Sequence, residues 1–163
     1  MNQAILIARR ELNSFFGTWM GYIITAASLI ISGMLFMAYA MEGQKYSAQV
    51  LAEYFYYTSG IGMVASLFLA MRLFAEERQT GTIVLFYTSP VSERSMIYGK
   101  FLSALVVFLI LLLISLYMPV LVMVRGKISM GHVLAGYTGC VLVGAAVMSM
   151  SLLASVLAPN QLL

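Results

Sequence analysis

Charged residues are scarce in this chain of 163 residues, since nine Lys or Arg and six Asp or Glu make up only 9% of it. A typical soluble domain is about one-quarter charged, whereas 62% of this chain is apolar. So few charged residues could not cover a globule of this size with polar surface. The scarcity excludes an ordinary soluble domain and a disordered chain. The basic residues are scattered rather than clustered, which also excludes a nucleic-acid binder.

Cysteine and histidine are nearly absent as well. The single Cys140 and the single His132 cannot form an internal disulfide or a zinc site with paired cysteines. Neither Gly99-Lys100 nor Gly126-Lys127 has the upstream glycine and the following hydroxyl of a phosphate-binding loop. The sequence therefore predicts that the chain has no ATPase site, no metal site and no cofactor of its own.

Four long stretches without a charged residue are what the sequence has instead. A bilayer needs roughly 20 helical residues to cross its hydrocarbon core, and backbone groups in lipid must be satisfied within each segment. The predicted fold class is therefore an all-α membrane protein with four transmembrane helices. The predicted spans are residues 18–41, 54–71, 101–124 and 132–158, and residues 72–100 form the segment between the second and third.

Residues 1–17 predict an amphipathic helix that lies in the membrane interface ahead of the first span. Apolar and polar side chains there fall on opposite faces at helical spacing. The apolar face holds Ile5, Ala8, Leu12, Phe15 and Phe16, and the polar face holds Arg9, Arg10, Asn13 and Ser14.

The distribution of basic residues predicts the orientation. Six of the nine lie before the first span or between the second and third, and three lie on the opposite side. Because cytoplasmic segments of membrane proteins are enriched in Lys and Arg, we expect the N-terminus and residues 72–100 to be cytoplasmic.

Pro119 lies late in the third span and has no amide N–H to donate to the carbonyl of Ser115. A proline in a helix interior removes one hydrogen bond and crowds the carbonyl four residues earlier. We therefore expect the third helix to bend near its outer end.

Small residues recur every fourth position in the fourth span, at Gly136, Cys140 and Gly144. Such a row allows another helix to approach closely in lipid. The pattern leaves two partners open, another helix of this chain or a second subunit. In either case Cys140 is interpreted as a small packing residue rather than a reactive thiol.

The segment between the second and third spans holds seven of the chain's charged residues. We expect the second helix to continue through Gln79 and to stop at Gly81. Residues 82–87 then form a short apolar element that Pro90 ends, and Ser92 can cap the next helix. An apolar element at this position needs cover, from the membrane surface or from a protein partner, and the pattern does not distinguish between them.

The same segment resembles the permeases of type-2 ABC exporters, and most of all those connected with gliding motility. The resemblance rests on Glu76-Glu77-Arg78, Thr80-Gly81-Thr82, Ser89-Pro90-Val91 and Gly99-Lys100. Residues 10–16 and 158–161 are also similar to that subset.

The resemblance implies a permease subunit in the inner membrane of a bacterium. It implies that a separate cytoplasmic ABC ATPase binds the ATP, and that a second permease subunit completes a homodimer or heterodimer in the bilayer. In this family, a coupling helix between the second and third spans docks on the ATPase. The coupling positions implied here are Glu76, Glu77, Arg78, Thr80, Gly81, Thr82, Leu85 and Pro90.

The chain departs from the family in length. Family members usually have six spans, so with four predicted here we expect a C-terminally truncated permease, or one whose missing half is supplied elsewhere. The alternative is a membrane scaffold or anchor that does not transport, for which four helices without charged residues in the spans would suffice. The sequence does not identify a substrate.

Overall fold

A computed structural model of the chain describes residues 2–40, 46–79, 93–125 and 128–157. These residues are 96% helical and contain no strand, so the all-α prediction is confirmed. The helices are α1 (Asn2–Gly17), α2 (Trp19–Leu35) with its π-helical continuation Phe36–Ala40, α3 (Ser47–Gln79), α4 (Glu93–Ser115), α5 (Tyr117–Arg125) and α6 (Met130–Leu157).

Four helical stretches among the described residues are long and apolar enough to cross a membrane, which confirms the predicted number of spans. They are Gly21–Tyr39, Ser47–Met71, Arg94–Val124 and Met130–Ala154.

Three charged residues fall within these stretches, namely Glu53 in α3 and Arg94 and Lys100 in α4. All three lie before the predicted spans 54–71 and 101–124, which themselves contain no charged residue. The helices extend past the apolar runs because a charge ends an apolar run without interrupting the backbone hydrogen bonds that define a helix.

α3 is the central helix, since it contacts α2, α4, α5 and α6. The buried residues around it form two clusters. The first consists of Phe36, Val50, Leu51, Tyr54, Met118 and Val133, and the second of Leu69, Ala104, Val107, Phe108, Leu112, Cys140 and Met148. Phe55 and Tyr137 pack against both clusters and so connect them.

The small-residue row of α6 packs inside this chain. A Cβ added at Gly136 would overlap the ring of Phe55 in α3, and one added at Gly144 would overlap the ring of Phe108 in α4. Cys140 is buried between them. Of the two partners that the sequence left open, the structure shows neighbouring helices of the same chain.

The bundle has two ends that differ in construction. At the α1 end, α1 packs against α4 beside Gly99. At the distal end lie the π-helical segment Phe36–Ala40, the start of α3, the joint between α4 and α5, and the start of α6.

Exposed aromatic side chains occur towards both ends of α2. Trp19 at its start is 85% exposed, and Tyr39 in its π-helical continuation is also exposed. Twenty residues separate them, which is about 30 Å at 1.5 Å per residue and matches the thickness of a bilayer core of roughly 30 Å. Because Trp and Tyr favour membrane interfaces, this spacing is that of a helix spanning one bilayer.

Candidate functional site

The predicted coupling residues divide between described and undescribed parts of the chain. α3 runs to Gln79 as predicted, and its last turns include Glu76, Glu77 and Arg78. Their contact with an ATPase stays a prediction. The remaining positions lie outside the described residues, namely Thr80, Gly81, Thr82, Leu85 and Pro90.

Gly99 of α4 allows α1 to approach closely. A Cβ at this position would lie 2.8 Å from Cγ2 of Ile7 and 2.9 Å from the carbonyl oxygen of Ala4. Both distances are shorter than ordinary van der Waals contact. The glycine of the Gly99-Lys100 motif therefore has a packing role at the α1 end.

The bundle-facing side of α1 differs from the predicted apolar face. Ala8 is buried, and Leu12 and Phe15 pack against the second core cluster, as an amphipathic helix requires. Ile5 and Phe16, predicted on the same face, remain exposed. The difference arises because the bundle contacts only part of a wide apolar stripe.

Two ionisable residues are buried at the α1 end. Lys100, counted from sequence with the segment 72–100, lies in α4 and is 0% exposed, and Glu11 of α1 is also buried. Neither residue is without an interaction partner. Because burial of an uncompensated charge is costly, these partners are part of what holds the α1 end together.

A cluster of three hydroxyl groups occupies the distal end and joins three helices. The hydroxyl of Tyr54 in α3 lies 3.2 Å from the carbonyl oxygen of Ser115, 3.2 Å from Ser115 Oγ and 2.9 Å from the hydroxyl of Tyr137 in α6. Ser115 Oγ and the Tyr137 hydroxyl are 3.1 Å apart. Tyr54 and Ser115 are buried, whereas Tyr137 is half-buried.

The directions of these hydrogen bonds follow from counting protons. Ser115 Oγ donates to the carbonyl of Leu112 at 2.7 Å, which commits its only proton. A carbonyl can only accept, so the contact between Tyr54 and the Ser115 carbonyl requires Tyr54 to donate. Ser115 Oγ also accepts from Tyr54, so the single Tyr54 proton is shared between these two acceptors at 3.2 Å each. Tyr137 then donates to Tyr54 or to Ser115 Oγ, and all three hydroxyl protons are used.

The cluster is located at a break in the third span. α4 ends at Ser115, α5 begins at Tyr117, and Leu116 between them donates its amide to the carbonyl of Leu113 rather than to the carbonyl four residues back. The helix is therefore interrupted next to Ser115, at the place where Pro119 predicts a bend, and the angle of the bend stays a prediction.

Aromatic rings surround the cluster. Phe36 meets Tyr54 edge-on with ring centroids 5.7 Å apart, and Phe55 makes similar contacts with Tyr54 at 5.1 Å and with Tyr137 at 5.3 Å. Edge-to-face contacts of this kind orient rings as well as bury them. They hold the two tyrosine hydroxyls in position against the joint.

Sequence reasoning identified Pro119 and Ser115 but missed Tyr54 and Tyr137. The available signal was the carbonyl that Pro119 leaves without its usual amide partner. Its actual partner is 61 residues away in the chain, and the period-3.6 pattern of an apolar helix does not indicate which tyrosine faces it.

The geometry is that of a polytopic α-helical membrane protein with a jointed third span. A family model described as "ABC-2 family transporter protein" matches residues 24–162, which is most of the chain. The chain belongs to this family of ABC transporter membrane proteins. It is thus a transport subunit, and in such transporters the ATPase is a separate subunit. No curated protein and no solved structure shows a significant match.

Proposed function

We propose that this chain is the permease subunit of an ATP-driven exporter, and that it couples ATP hydrolysis by a separate cytoplasmic ATPase to transport across the membrane. The observation that carries the proposal is the continuity of α3. Its 33 residues form one helix, about 50 Å long at 1.5 Å per residue. A helix of this length can transmit rigid-body motion from one end of the bundle to the other.

The proposed ATPase contact lies just beyond and within the last turns of α3. Glu76, Glu77 and Arg78 belong to the helix itself, so force applied to them acts directly on α3. In this proposal the apolar residues 83–87 fill a groove on the ATPase. The ATPase is then the protein partner that shields this apolar element from water. Closure of the ATPase on ATP then moves α3.

We further propose that the α1 end faces the cytoplasm of a bacterium. Arg9, Arg10 and Arg94 are exposed there, as expected for residues on the positive side of an inner-membrane protein. A second permease subunit, identical or related, completes the transporter.

The coupling proposal is tested by co-purification with the ATPase encoded beside the gene, in detergent. Gly81→Trp places a large side chain at the proposed contact, and Glu77→Ala removes a charge from it. We expect a loss of ATPase recovery of roughly tenfold for Gly81→Trp, in the range seen when a central interface residue is altered, and a smaller loss for Glu77→Ala.

Ala52→Trp is the matched control, because Ala52 is an exposed residue of α3 at the distal end and receives the same new side chain. Equal recovery with wild type, Gly81→Trp and Glu77→Ala would contradict the coupling proposal. In reconstituted vesicles, ATP hydrolysis unaffected by the chain would instead favour a scaffold that does not transport.

The pathway that we propose is gliding motility, and the support is the similarity of residues 10–16 and 158–161 to permeases of that kind. Deletion of the gene is then expected to abolish gliding of single cells on a surface, with restoration by the wild-type gene and not by Gly81→Trp. Normal gliding of the deletion strain would reject this assignment and leave the transport proposal intact.

A further inference from the structure

Two departures from regular helix geometry meet at Tyr54. Phe36 of the π-helical segment Phe36–Ala40 packs edge-on against its ring, and its hydroxyl contacts the Ser115 carbonyl beside the break at Leu116. Short π-helical segments and interruptions of this kind are frequent at functional positions of helices. Here both occur around one side chain of the central helix.

We propose that Tyr54 is the positioning residue of the α4–α5 joint, whose hydroxyl donates to the Ser115 carbonyl in place of the amide that Pro119 lacks. The angle between α4 and α5 then depends on the position of α3, which carries the tyrosine. Tyr54 acts through the joint and contacts no transported molecule in this role.

The hydrogen bond is suited to be made and broken by a small movement. Its length of 3.2 Å already exceeds the range of about 2.5–3.0 Å that is usual for an O–H donor, so a displacement of roughly 0.5 Å would remove it. No other proton of the cluster replaces this hydrogen bond. Ser115 Oγ donates to the Leu112 carbonyl, and the Tyr137 hydroxyl contacts the Tyr54 hydroxyl and Ser115 Oγ rather than the Ser115 carbonyl. Loss of Tyr54 therefore frees the joint.

Space for movement exists on the α2 side of the joint. A groove of about 780 Å³ runs beside α5 and is lined by residues of α2 and by Tyr117. The closest approach to Gly33 of α2 is made by the flexible side chain of Met118, 3.4 Å from a built Cβ, which is ordinary contact. Movement of α5 towards α2 is therefore opposed first by this side chain, which can change rotamer, rather than by backbone.

α3 connects the hydrogen bond between Tyr54 and Ser115 to the proposed ATPase contact. Tyr54 and Gln79 are 25 residues apart in α3, or about 38 Å at 1.5 Å per residue. Use of the joint during transport rests on the proposed function, whereas the control of its angle by Tyr54 does not.

The test measures the joint in the full chain in lipid nanodiscs, without an ATPase. Nitroxide labels at Leu102→Cys and Val124→Cys, both exposed positions, flank the joint at a separation of roughly 33 Å along the helix. Cys140→Ala removes the native thiol. Electron–electron double resonance then gives the distance distribution for wild type, Tyr54→Phe, Pro119→Ala and the double variant.

We expect Tyr54→Phe to raise the fraction of molecules outside the main distance peak roughly threefold, the factor that corresponds to an average hydrogen bond between membrane helices. Phenylalanine keeps the ring and its packing, so the fold is retained. Pro119→Ala restores an amide donor to Ser115, and we expect the double variant to be at least as narrow as wild type.

Tyr56→Phe is the matched control, because this neighbouring tyrosine is exposed and points away from the cluster. A Tyr54→Phe distribution equal to wild type would overturn the proposal, and so would a broad Tyr54→Phe distribution that Pro119→Ala fails to narrow. Failure of ATPase co-purification would leave all of these distributions unchanged, so the two proposals fail separately.

Discussion

The two ends of this bundle are held together by different interactions. At the α1 end, α1 packs directly on Gly99, and the charged residues Glu11 and Lys100 are buried nearby. At the distal end, hydroxyl groups of Tyr54, Ser115 and Tyr137 connect three helices around a break in one of them. Close backbone contact leaves α1 little room to shift against α4, whereas a single hydrogen bond between membrane helices is weak.

The difference indicates where movement is possible. A rigid α1 end would keep α1 and α4 together, and a jointed distal end would let α5 change its direction. The proposed coupling would use this division, with force entering at the α1 end and access changing at the distal end.

The largest effect is expected from Lys100→Met, which tests whether the buried charge stabilises the α1 end. The substitution keeps the length of the side chain but removes a buried charge and leaves its partners uncompensated. We expect the free energy of unfolding to fall by about 3 kcal/mol or more, because the groups that interact with the buried ammonium lose their partner; the measurement is denaturant titration of the chain in mixed micelles. Arg94→Met, an exposed position one and a half turns earlier in α4, should change it by less than about 0.5 kcal/mol.

Gly99→Ala should have the next largest effect. It tests whether the two ends are independent, because it should weaken only the packing of α1. The added Cβ meets the Ala4 carbonyl, a backbone atom that cannot rotate away, so we expect a loss of about 1–3 kcal/mol. Hydrogen exchange should become faster in α1 and stay unchanged around Tyr54. If exchange rose equally at both ends, the two ends would not be independent.

Gly139→Ala is the control for that substitution. A Cβ at Gly139 would meet no described atom within 4 Å other than its chain neighbours and the backbone of its own helix. Alanine also favours helix more than glycine does. The variant is expected to be as stable as wild type or slightly more so.

The smallest effect is expected from Ser115→Ala at the distal end. The variant loses the oxygen that both tyrosine hydroxyls approach but keeps the backbone carbonyl, so we expect a loss of about 0.6–1.7 kcal/mol. Ser66→Ala removes a buried hydroxyl that bonds to its own helix at Met63, and should cost less. Equal losses would mean that the cluster contributes no more than an isolated serine.

Sequence predicted the fold class and the number of spans because the absence of charge is a property of each segment alone. It predicted the break near Ser115 for the same reason, since the geometry of Pro119 is local. Gly136 and Gly144 were identified as packing positions, but their partners were not, because a small-residue row shows that a helix approaches and not which one does.

The sequence could not predict the burial of Lys100 or the hydroxyl partners of Ser115. Both depend on which faces of distant helices meet, and the apolar residues of a membrane helix surround it on every side. The coupling positions from Glu76 to Pro90 stay predictions that rest on family resemblance. Their test is biochemical.

The spacing of Trp19 and Tyr39 on α2 implies that the thickness of the bilayer affects the conformation of this protein. The two rings suit a hydrocarbon core of roughly 30 Å, and lipids with shorter chains impose a mismatch that helices relieve by tilting or kinking. Of the helices described here, the third span already has a joint at which to bend. Acyl-chain length should therefore shift the α4–α5 angle in the wild-type chain, with no substitution and no nucleotide.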